Sequence, residues 1–481
     1  MEGFLTSIID GSNNILWSYV LIAGLLGLGI YFTIASRFVQ FRFFGEMFRV
    51  LGEKPDYKDG AKNISPFKSF CVGAATRIGT GNLAGVAVAI TLGGPGAVFW
   101  MWMVALLGGA TAFIESTLAQ VYKVKGENAF RGGPAYYIEK GLKARWLGIV
   151  FAVLIAITFG LIFNSVQSNT IALAFENAFG INPLVIGVII TVLTGVVIFG
   201  GVHRIANLSS VIVPVMAILY IVIALFVLFM NLAELPSIVA LIVGSAFGFE
   251  QAVGGAIGAA IMNGVKRGLF SNEAGMGSAP NAAATSTTSH PAKQGLIQSL
   301  GVFVDTILVC SSTAFIILLA PVFRTVEVTG IELLQNSLNS HIGGWSGIFI
   351  SIAIFLFAFS SIIGSYYYGE TNIEFIKKSR GTLFLFRLAT MAFVLIGSIS
   401  SLSLVWKMAD LFMALMTVIN LIAIGLLGKI AFKVLKDYEN QRKQGKNPVF
   451  NPTKLGIHNA DAWVEDQMEK EDDVEKEEAI G

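Results

Sequence analysis

The sequence predicts an all-α protein that crosses a membrane many times. Of its 481 residues, 54% are hydrophobic and only 13% are charged, whereas about a quarter of the residues in soluble domains are charged. The mean hydropathy is +0.72. Long apolar runs also recur along the chain, each close to the roughly 20 residues that a helix needs to cross the hydrocarbon core.

These runs predict eleven transmembrane helices. They cover residues 15–36, 67–92, 96–122, 146–175, 183–201, 208–230, 237–264, 294–320, 345–376, 383–400 and 404–432.

Lys and Arg residues alternate between the connections of these helices, which predicts the orientation. The connections near 176–182, 231–236 and 400–403 have no Lys or Arg, and the 321–344 connection has only Arg324. The connections between these carry several basic residues, for example Lys266 and Arg267. Because basic loops stay in the cytoplasm, the N-terminus is expected outside and the C-terminus inside.

Two of the predicted helices, 67–92 and 237–264, are interrupted by glycines and lie five helices apart. An odd offset reverses the direction of a helix, as expected for two inverted five-helix repeats. The alternative is that the glycines only permit close helix packing. The predicted division is an extra N-terminal helix (1–36), a first repeat (67–230), a second repeat (237–432) and a polar cytoplasmic tail (433–481). The tail is expected to be solvated and largely disordered.

Polar residues and glycines interrupt the apolar run VGAATRIGTGNLAGVAVAITL at residues 72–92. Irregular backbone persists at membrane depth only where it lines a cavity or is buried in protein, and such breaks mark the substrate site of secondary transporters. If the helix unwinds near Gly79–Gly81, the amides of the following half-helix can face an anion such as an amino-acid carboxylate. The carbonyls of Ala75 and Ile78, and the side chain of Asn82, can bind a hard cation such as sodium.

Two other helices carry polar groups at helical spacing. Ser360 and Ser361 follow Phe357 by three and four residues, so two hydroxyls and a carbonyl share one face and could hold sodium. Alternatively, each serine bonds only to its own helix backbone. Gln167 lies mid-helix and is expected to face an interior cavity, or else to make a helix–helix hydrogen bond.

Ionisable residues inside membrane helices are candidates for function. We expect most of the carboxylates to pair with basic side chains or backbone, and Arg77 to point away from the ion site, to a carboxylate or to the interface. Glu250 is the candidate for proton coupling. The carboxylates in or near the predicted helices are Glu115, Glu250, Asp305, Glu370 and Asp410.

Other classes of protein are disfavoured. A net charge of +2 gives no indication of nucleic-acid binding, and Cys71 and Cys310 lie in apolar segments, where buried thiols are expected. The string Gly344–Gly347 resembles a serine-hydrolase motif, but no histidine lies mid-helix to act as a base. No enzyme activity and no cofactor other than a coupling ion is expected.

Several strings resemble the alanine or glycine:cation symporter family, also called sodium:alanine symporters, over about residues 1–440. The most specific is GGPGAVFWMW at 93–102. The others are RIGTGNLAGVA (77–87), FRGGPAYYI (130–138), RGLFSNEAGMGSAPNAAA (267–284) and YYYGE (366–370). The resemblance implies the leucine-transporter-type fold and sodium-coupled uptake of small neutral amino acids, such as alanine and glycine, across the plasma membrane by alternating access.

The resemblance also implies site residues. The substrate carboxylate is expected at the amides of Thr80 and Gly81, beside Asn82, with Gln167 in the pocket. The pocket is expected to be closed by the stretch from Phe247 to Gly254, which includes Phe249 and Gln251. The implied sodium ligands are Ala75, Ile78, Phe357, Ser360 and Ser361.

Ser365 departs from the family pattern, in which many members have tryptophan before a string similar to YYYGE. Loss of that large ring would give a bigger and more polar cavity, so a larger neutral substrate such as glutamine is plausible. The alternatives to sodium symport are a proton-coupled transporter and an amino-acid-gated receptor or channel.

Overall fold

The computed structural model describes residues 2–54, 64–126, 129–248, 254–324 and 327–465, and these residues are almost entirely helical. One short antiparallel hairpin pairs β1 (Val124–Lys125) with β2 (Phe130–Arg131). The helices are α1 (Glu2–Ile15), α2 (Ile22–Ala35), α3 (Val39–Arg42), α4 (Phe44–Leu51), α5 (Pro66–Arg77), α6 (Val86–Gly93), α7 (Gly96–Val121), α8 (Pro134–Leu142), α9 (Arg145–Ile157), α10 (Asn164–Phe179), α11 (Pro183–Ile198), α12 (Gly201–Met230), α13 (Leu235–Ala246), α14 (Gly254–Asn272), α15 (Ala279–Ala284), α16 (Pro291–Val302), α17 (Ser311–Leu319), α18 (Gly330–Ile342), α19 (Trp345–Ile376), α20 (Arg380–Ile399) and α21 (Leu402–Lys443).

In the part of the chain that the structure describes, four π-helical stretches join or extend these helices, and one 3₁₀ turn follows α17. The π-helical stretches are Leu16–Leu21, Gly81–Gly85, Thr158–Phe163 and Phe303–Cys310, and the turn is Pro321–Arg324.

Within the described residues, eight helical stretches are long and apolar enough to cross a membrane, which confirms the multi-span all-α prediction. They are Ile9–Ala35, Gly96–Val121, Arg145–Phe179, Gly201–Met230, Pro291–Leu319, Trp345–Ile376, Arg380–Ile399 and Leu402–Lys443. Three shorter apolar helices, Gly81–Gly93, Pro183–Ile198 and Leu235–Ala246, occupy the other three predicted spans. The count of eleven spans stays a prediction.

Both predicted helix breaks are present. The helix α5 ends at Arg77, Ile78 has a non-helical ψ of 85°, and helical structure resumes at Gly81. The helix α13 ends at Ala246, and Gly248 has a φ of +71°, a conformation that favours glycine. The rest of this second break, residues 249–253, lies outside the described residues.

Helices that are five predicted spans apart pack against each other. The helix α7 packs on α16, α10 on α19, α11 on α20, and α6 on α14. Two five-helix repeats related by inverted symmetry would produce this pairing, although the repeat boundaries stay a prediction.

The helix α14 runs eight residues past its predicted end at 264, so Lys266 and Arg267 do not lie in a loop. The side chain of Arg267 is buried, and its Nη2 lies 2.6 and 2.7 Å from the two carboxylate oxygens of Asp410. Lys266 Nζ lies 3.9 Å from the same carboxylate. The pairing compensates for the burial of these charges. Because Lys266 and Arg267 do not lie in a loop, they give no support to the predicted orientation of the chain in the membrane.

The expectation of a solvated, disordered extension from Lys433 is wrong for residues 433–465. The helix α21 continues to Lys443. Beyond it, Phe450 and Trp463 are buried, and Trp463 Nε1 donates to the carbonyl of Gln120 at 2.8 Å. Aromatic side chains spaced through this polar segment gain enough burial to dock it on the helices. Residues 466–481 lie outside the described residues.

Candidate functional site

The break between α5 and Gly81 is held by hydrogen bonds to its freed backbone groups. The amide of Gly79 donates to Asn82 Oδ1 at 2.9 Å, which pairs a group that the helix has released. A side chain at position 79 would not fit, because its Cβ would lie 2.2 Å from Ser361 Oγ and 3.1 Å from Gln167 Oε1. Glycine at position 79 therefore lets the side chains of Ser361 and Gln167 approach the break closely, and three helices meet there.

Thr80 connects this break to the helix α10. Its amide donates to Gln167 Oε1 at 3.0 Å, and both residues are buried. Thr80 Oγ1 is also buried and has no hydrogen-bond partner among the described residues. The break thus presents one bonded amide and one unpaired hydroxyl beside the side chain of Gln167, as expected for a site that recognises a polar ligand.

The predicted sodium ligands converge between α5 and α19. Ser361 Oγ lies 2.7 Å from the carbonyl oxygen of Ala75 and 3.0 Å from that of Phe357, and its single proton is shared between the two acceptors. Ser360 Oγ donates to the same Phe357 carbonyl at 2.9 Å. Ile78 is buried at the end of α5. Ser360 thus bonds only to the backbone of its own helix, which was the alternative to an ion site. Ser361 also contacts the broken helix.

An aromatic cluster, formed by Phe163, Phe270 and Trp406, covers the other side of the break. A Cβ on Gly81 would lie 2.9 Å from the Phe270 ring. The Phe270 centroid lies 4.5 Å from that of Phe163 and 4.7 Å from that of Trp406. Sequence reasoning missed these residues because α14 was expected to end at 264, although Phe270 belongs to the string RGLFSNEAGMGSAPNAAA.

The stretch from Phe247 to Gly254 was expected to close the pocket. No described contact joins it to the break at Gly79–Gly81 or to the aromatic cluster. Phe247 packs on Phe99, with 5.0 Å between ring centroids, and remains 45% exposed. Gly254 begins α14, while Phe249, Glu250 and Gln251 lie outside the described residues. Ser365 is buried in α19, one helical turn beyond Ser361.

Asp305 lies beside the break and is fully buried. Its carboxylate accepts from Asn82 Nδ2, from Ser271 Oγ at 2.9 and 3.1 Å, and from Thr306 Oγ1 at 2.7 Å. The thiol of Cys310 lies 3.1 Å from Ser271 Oγ. Sequence reasoning named Asp305 only as one carboxylate among five, because its partners come from three separate segments.

The other described carboxylates have the expected kinds of partner. Glu115 accepts from the amide of Gly275 at 3.1 Å and from Asn420 Nδ2 at 2.9 Å. Glu370 lies 3.6 Å from Arg131 and 3.8 Å from Arg387. These contacts account for the burial of both carboxylates.

Arg77 is buried but makes little use of its five donors. Its Nη1 donates to the carbonyl of Gln298 at 3.2 Å, while Nε and Nη2 have no partner in the described part of the chain. No described carboxylate lies within 4.0 Å of it. The bond to Gln298 reaches across to α16, and the expected pairing with a carboxylate is not seen among the described residues.

Comparison with known proteins places the chain in a family. The model described as "Sodium:alanine symporter family" matches residues 2–452. The chain is 56% identical over 464 residues to "Probable sodium/glutamine symporter GlnT" of Bacillus subtilis (strain 168), covering 96% of this chain and 97% of the relative. It is 57% identical over 470 residues to "Amino-acid carrier protein AlsT" of the same organism, covering 98% and 100%.

A more distant relative gives the same result. The chain is 38% identical over 454 residues to "Sodium/alanine symporter AgcS" of Methanococcus maripaludis, covering 92% of this chain and 99% of the relative. These matches confirm the resemblance and the prediction of a membrane transporter rather than an enzyme. The protein belongs to the sodium:alanine symporter family and is a sodium-coupled amino-acid symporter.

Proposed function

We propose that this symporter imports small neutral amino acids, with glutamine among its substrates, by alternating access. The observation that carries the proposal is the broken helix itself. The unwound segment contacts Gln167 on one side, and the last turn of α5 just before it contacts Ser361 on the other. Substrate and sodium can therefore act on the same few residues of backbone.

The substrate carboxylate would bind at the amides of Thr80 and Gly81. The N-terminal end of a helix favours negative charge, and half-helices inside transporters use this end to bind anionic groups. Gln167 would complete the pocket, because its side chain already reaches the Thr80 amide. Asn82 would hold the unwound backbone in place through the amide of Gly79.

Sodium would bind among the carbonyls of Ala75, Ile78 and Phe357 and the hydroxyls of Ser360 and Ser361. An ion there links α5 to α19, because Ser361 already joins the two helices. Binding of ion and substrate to one broken helix gives mutual stabilisation, and linkage makes this effect reciprocal. Each charge that crosses a potential of 100 mV supplies about 2.3 kcal/mol.

Two further points complete the proposal. The N-terminus lies outside the plasma membrane and the C-terminus in the cytoplasm, as the Lys and Arg distribution favours. Glutamine is included because Ser365 stands where a bulky aromatic residue is common in the family, and because one relative is named a sodium/glutamine symporter.

Uptake into liposomes tests the proposal. The purified chain is reconstituted, and uptake of labelled alanine, glycine and glutamine is measured with an inward sodium gradient, with a pH gradient alone, and with neither. We expect saturable, concentrative uptake only with sodium. Uptake that follows the pH gradient without sodium would favour a proton-coupled transporter, and non-concentrative flux would favour a channel.

A further inference from the structure

A short stretch after α21, residues 447–450, turns back along that helix. Gly445, with a φ of +73°, follows the end of α21, where the chain reverses. The side chain of Gln441 then makes two bonds of 2.9 Å to the backbone of Val449: its Nε2 donates to the carbonyl, and its Oε1 accepts from the amide. These bonds fix residues 447–450, here called the latch, on α21.

The latch binds the loop between α15 and α16, residues 285–290. The amide of Phe450 donates to the carbonyl of Ser289 at 2.9 Å, and Ser289 Oγ donates to the carbonyl of Pro448 at 2.8 Å. The ring of Phe450 is buried, with its centroid 5.6 Å from that of His290. Two hydrogen bonds and one buried ring therefore join the latch to this loop.

Lys293 adds a buried charge to the same contact. Its Nζ lies 2.7 Å from Ser289 Oγ, 2.8 Å from Asn447 Oδ1 and 2.7 Å from Glu53 Oε2. The Lys293 side chain is only 1% exposed, so these three partners replace the water that burial removes from the ammonium group. The latch thus supplies one of the three groups that stabilise this charge inside the protein.

The loop that the latch binds also holds the start of the broken helix. The amide of Thr287 donates to the carbonyl of Ile64 at 3.1 Å, and Ile64 pairs with Ser286 in a parallel bridge. Ser65 follows directly and caps α5, because its side chain accepts from the amide of Lys68 at 3.2 Å. A continuous set of contacts therefore runs from the latch, through the loop, to the first turn of α5.

We propose that the latch is a conformational device that keeps the first half of the broken helix in place. While residues 447–450 hold the loop, the start of α5 is fixed, and their release allows α5 to move and opens a path from the break to the cytoplasm. This inference rests on the proposed function, in which this end of α5 is cytoplasmic and that side opens once in each transport cycle. Contacts that exist only in the closed state shift the equilibrium towards it.

A purely structural role, in which the latch only stabilises the fold, gives a different result at the two cysteines. Both thiols are buried, Cys71 in the second turn of α5 and Cys310 in the stretch Phe303–Cys310. General loosening or unfolding of the protein would expose both thiols together. Movement of α5 alone would expose Cys71 and leave Cys310 covered.

Reaction of the purified full-length chain with N-ethylmaleimide tests the proposal, with the label at each cysteine measured by mass spectrometry of the peptides. The double variant Ser289→Ala/Asn447→Ala removes both side-chain bonds between the latch and its partners. We expect the labelling rate of Cys71 to rise by about fivefold or more in this variant, as the loss of two hydrogen bonds predicts. The labelling rate of Cys310 should not change.

Val449→Ala is the matched control within the latch. The side chain of Val449 is 56% exposed, and its bonds to Gln441 use only the backbone, so this variant should be labelled at the wild-type rate. Gln441→Ala is the second test variant, because it releases the latch from α21 and leaves the three partners of Lys293 in place. It should also raise the labelling rate of Cys71, and it decides the question if the double variant does not fold.

Two results would overturn the proposal. One is labelling of Cys71 at the wild-type rate in every folded test variant, including the case in which no label is detected. The other is an equal rise at Cys71 and Cys310, which would show general loosening. The reaction contains neither sodium nor amino acid, so its outcome is separate from that of the liposome assay. Absence of sodium-dependent uptake there would contradict the proposed function and not the contact between the latch and the loop.

Discussion

The amide of Thr80 lies 3.0 Å from Oε1 of Gln167, 87 positions further along the chain, and this bond joins the broken helix to the first turn of α10. Both residues are buried. Since this amide faces no other helical partner, losing the bond would leave a buried donor unpaired, at a cost of about 1–3 kcal/mol. An anion that binds at this amide must share or replace the bond to Gln167.

Replacement of Gln167 by leucine should therefore weaken substrate binding. We expect the KM for alanine or glutamine to rise by roughly tenfold or more, because the variant loses a polar group worth about 1–3 kcal/mol. Uptake kinetics in proteoliposomes measure the effect. Ser168→Ala is the control, because Ser168 Oγ bonds only to the carbonyl of Ser165 within its own helix. An unchanged or lower KM in Gln167→Leu would mean that Gln167 merely competes with the substrate.

Gly79→Ala should abolish transport. The added methyl group would lie 2.2 Å from Ser361 Oγ and 3.1 Å from Gln167 Oε1, so both side chains must turn away and give up their bonds to Ala75 and Thr80. Gly85→Ala is the matched control in the same broken helix, since its Cβ would make an ordinary contact of 3.5 Å with Trp406. Initial uptake rates, normalised to the amount of protein in the membrane, are compared. Wild-type rates in Gly79→Ala would contradict the close approach.

Ser361→Ala should raise the sodium concentration for half-maximal uptake by about tenfold, the effect expected when one ligand group of an ion site is removed. The maximal rate at saturating sodium should be affected less. Ser346→Ala removes a hydroxyl from the same helix and should leave the sodium dependence unchanged. The same variant tests the string Gly344–Gly347, which resembles a serine-hydrolase motif. Loss of transport in Ser346→Ala would indicate that this string has a function. Equal sodium dependence in Ser361→Ala and wild type would remove Ser361 from the ion site.

Sequence patterns predicted the breaks, because glycine and polar residues together rarely interrupt an apolar run unless the backbone there is irregular and shielded from lipid. That Ala75, Phe357, Ser360 and Ser361 lie together was expected only from the resemblance to the symporter family. Sequence patterns also predicted the family, which the comparisons confirm. The all-α membrane class followed from composition and from the lengths of the apolar runs.

The errors have a common physical cause. Arg267 was expected in a loop because an unpaired charge cannot remain in a membrane, but Asp410, 143 positions away, pairs with it inside the protein. Phe450 and Trp463 were expected in water because their segment is polar on average. In both cases a distant partner decides the outcome, and no local pattern reveals that partner.

Ser365→Trp should narrow the range of substrates. If Ser365 faces the pocket, the indole fills space that a glutamine side chain requires, while alanine still fits. We expect glutamine to inhibit labelled alanine uptake in the wild type and in Ser365→Ala, but much less in Ser365→Trp. Alanine uptake in the tryptophan variant reports whether the buried position tolerates the larger ring. Failure of glutamine to compete in the wild type would contradict the proposed substrate range.

Trp463→Ala should destabilise the protein without altering the transport site. The ring is buried, packs on Phe450 with centroids 5.1 Å apart, lies 4.4 Å from Lys123 Nζ, and donates to the Gln120 carbonyl. Truncation of a buried tryptophan costs about 3–5 kcal/mol, so the apparent Tm in detergent should fall, while KM stays constant because no described contact links Trp463 to the break.

Val464→Ala is the neighbouring control for this prediction. Val464 is 39% exposed, so its truncation removes little buried surface and should shift the apparent Tm only slightly. Equal Tm values for Trp463→Ala and the wild type would show that docking of the segment after α21 adds nothing to stability. A raised KM in Trp463→Ala would show instead that this segment acts on the substrate site from a distance.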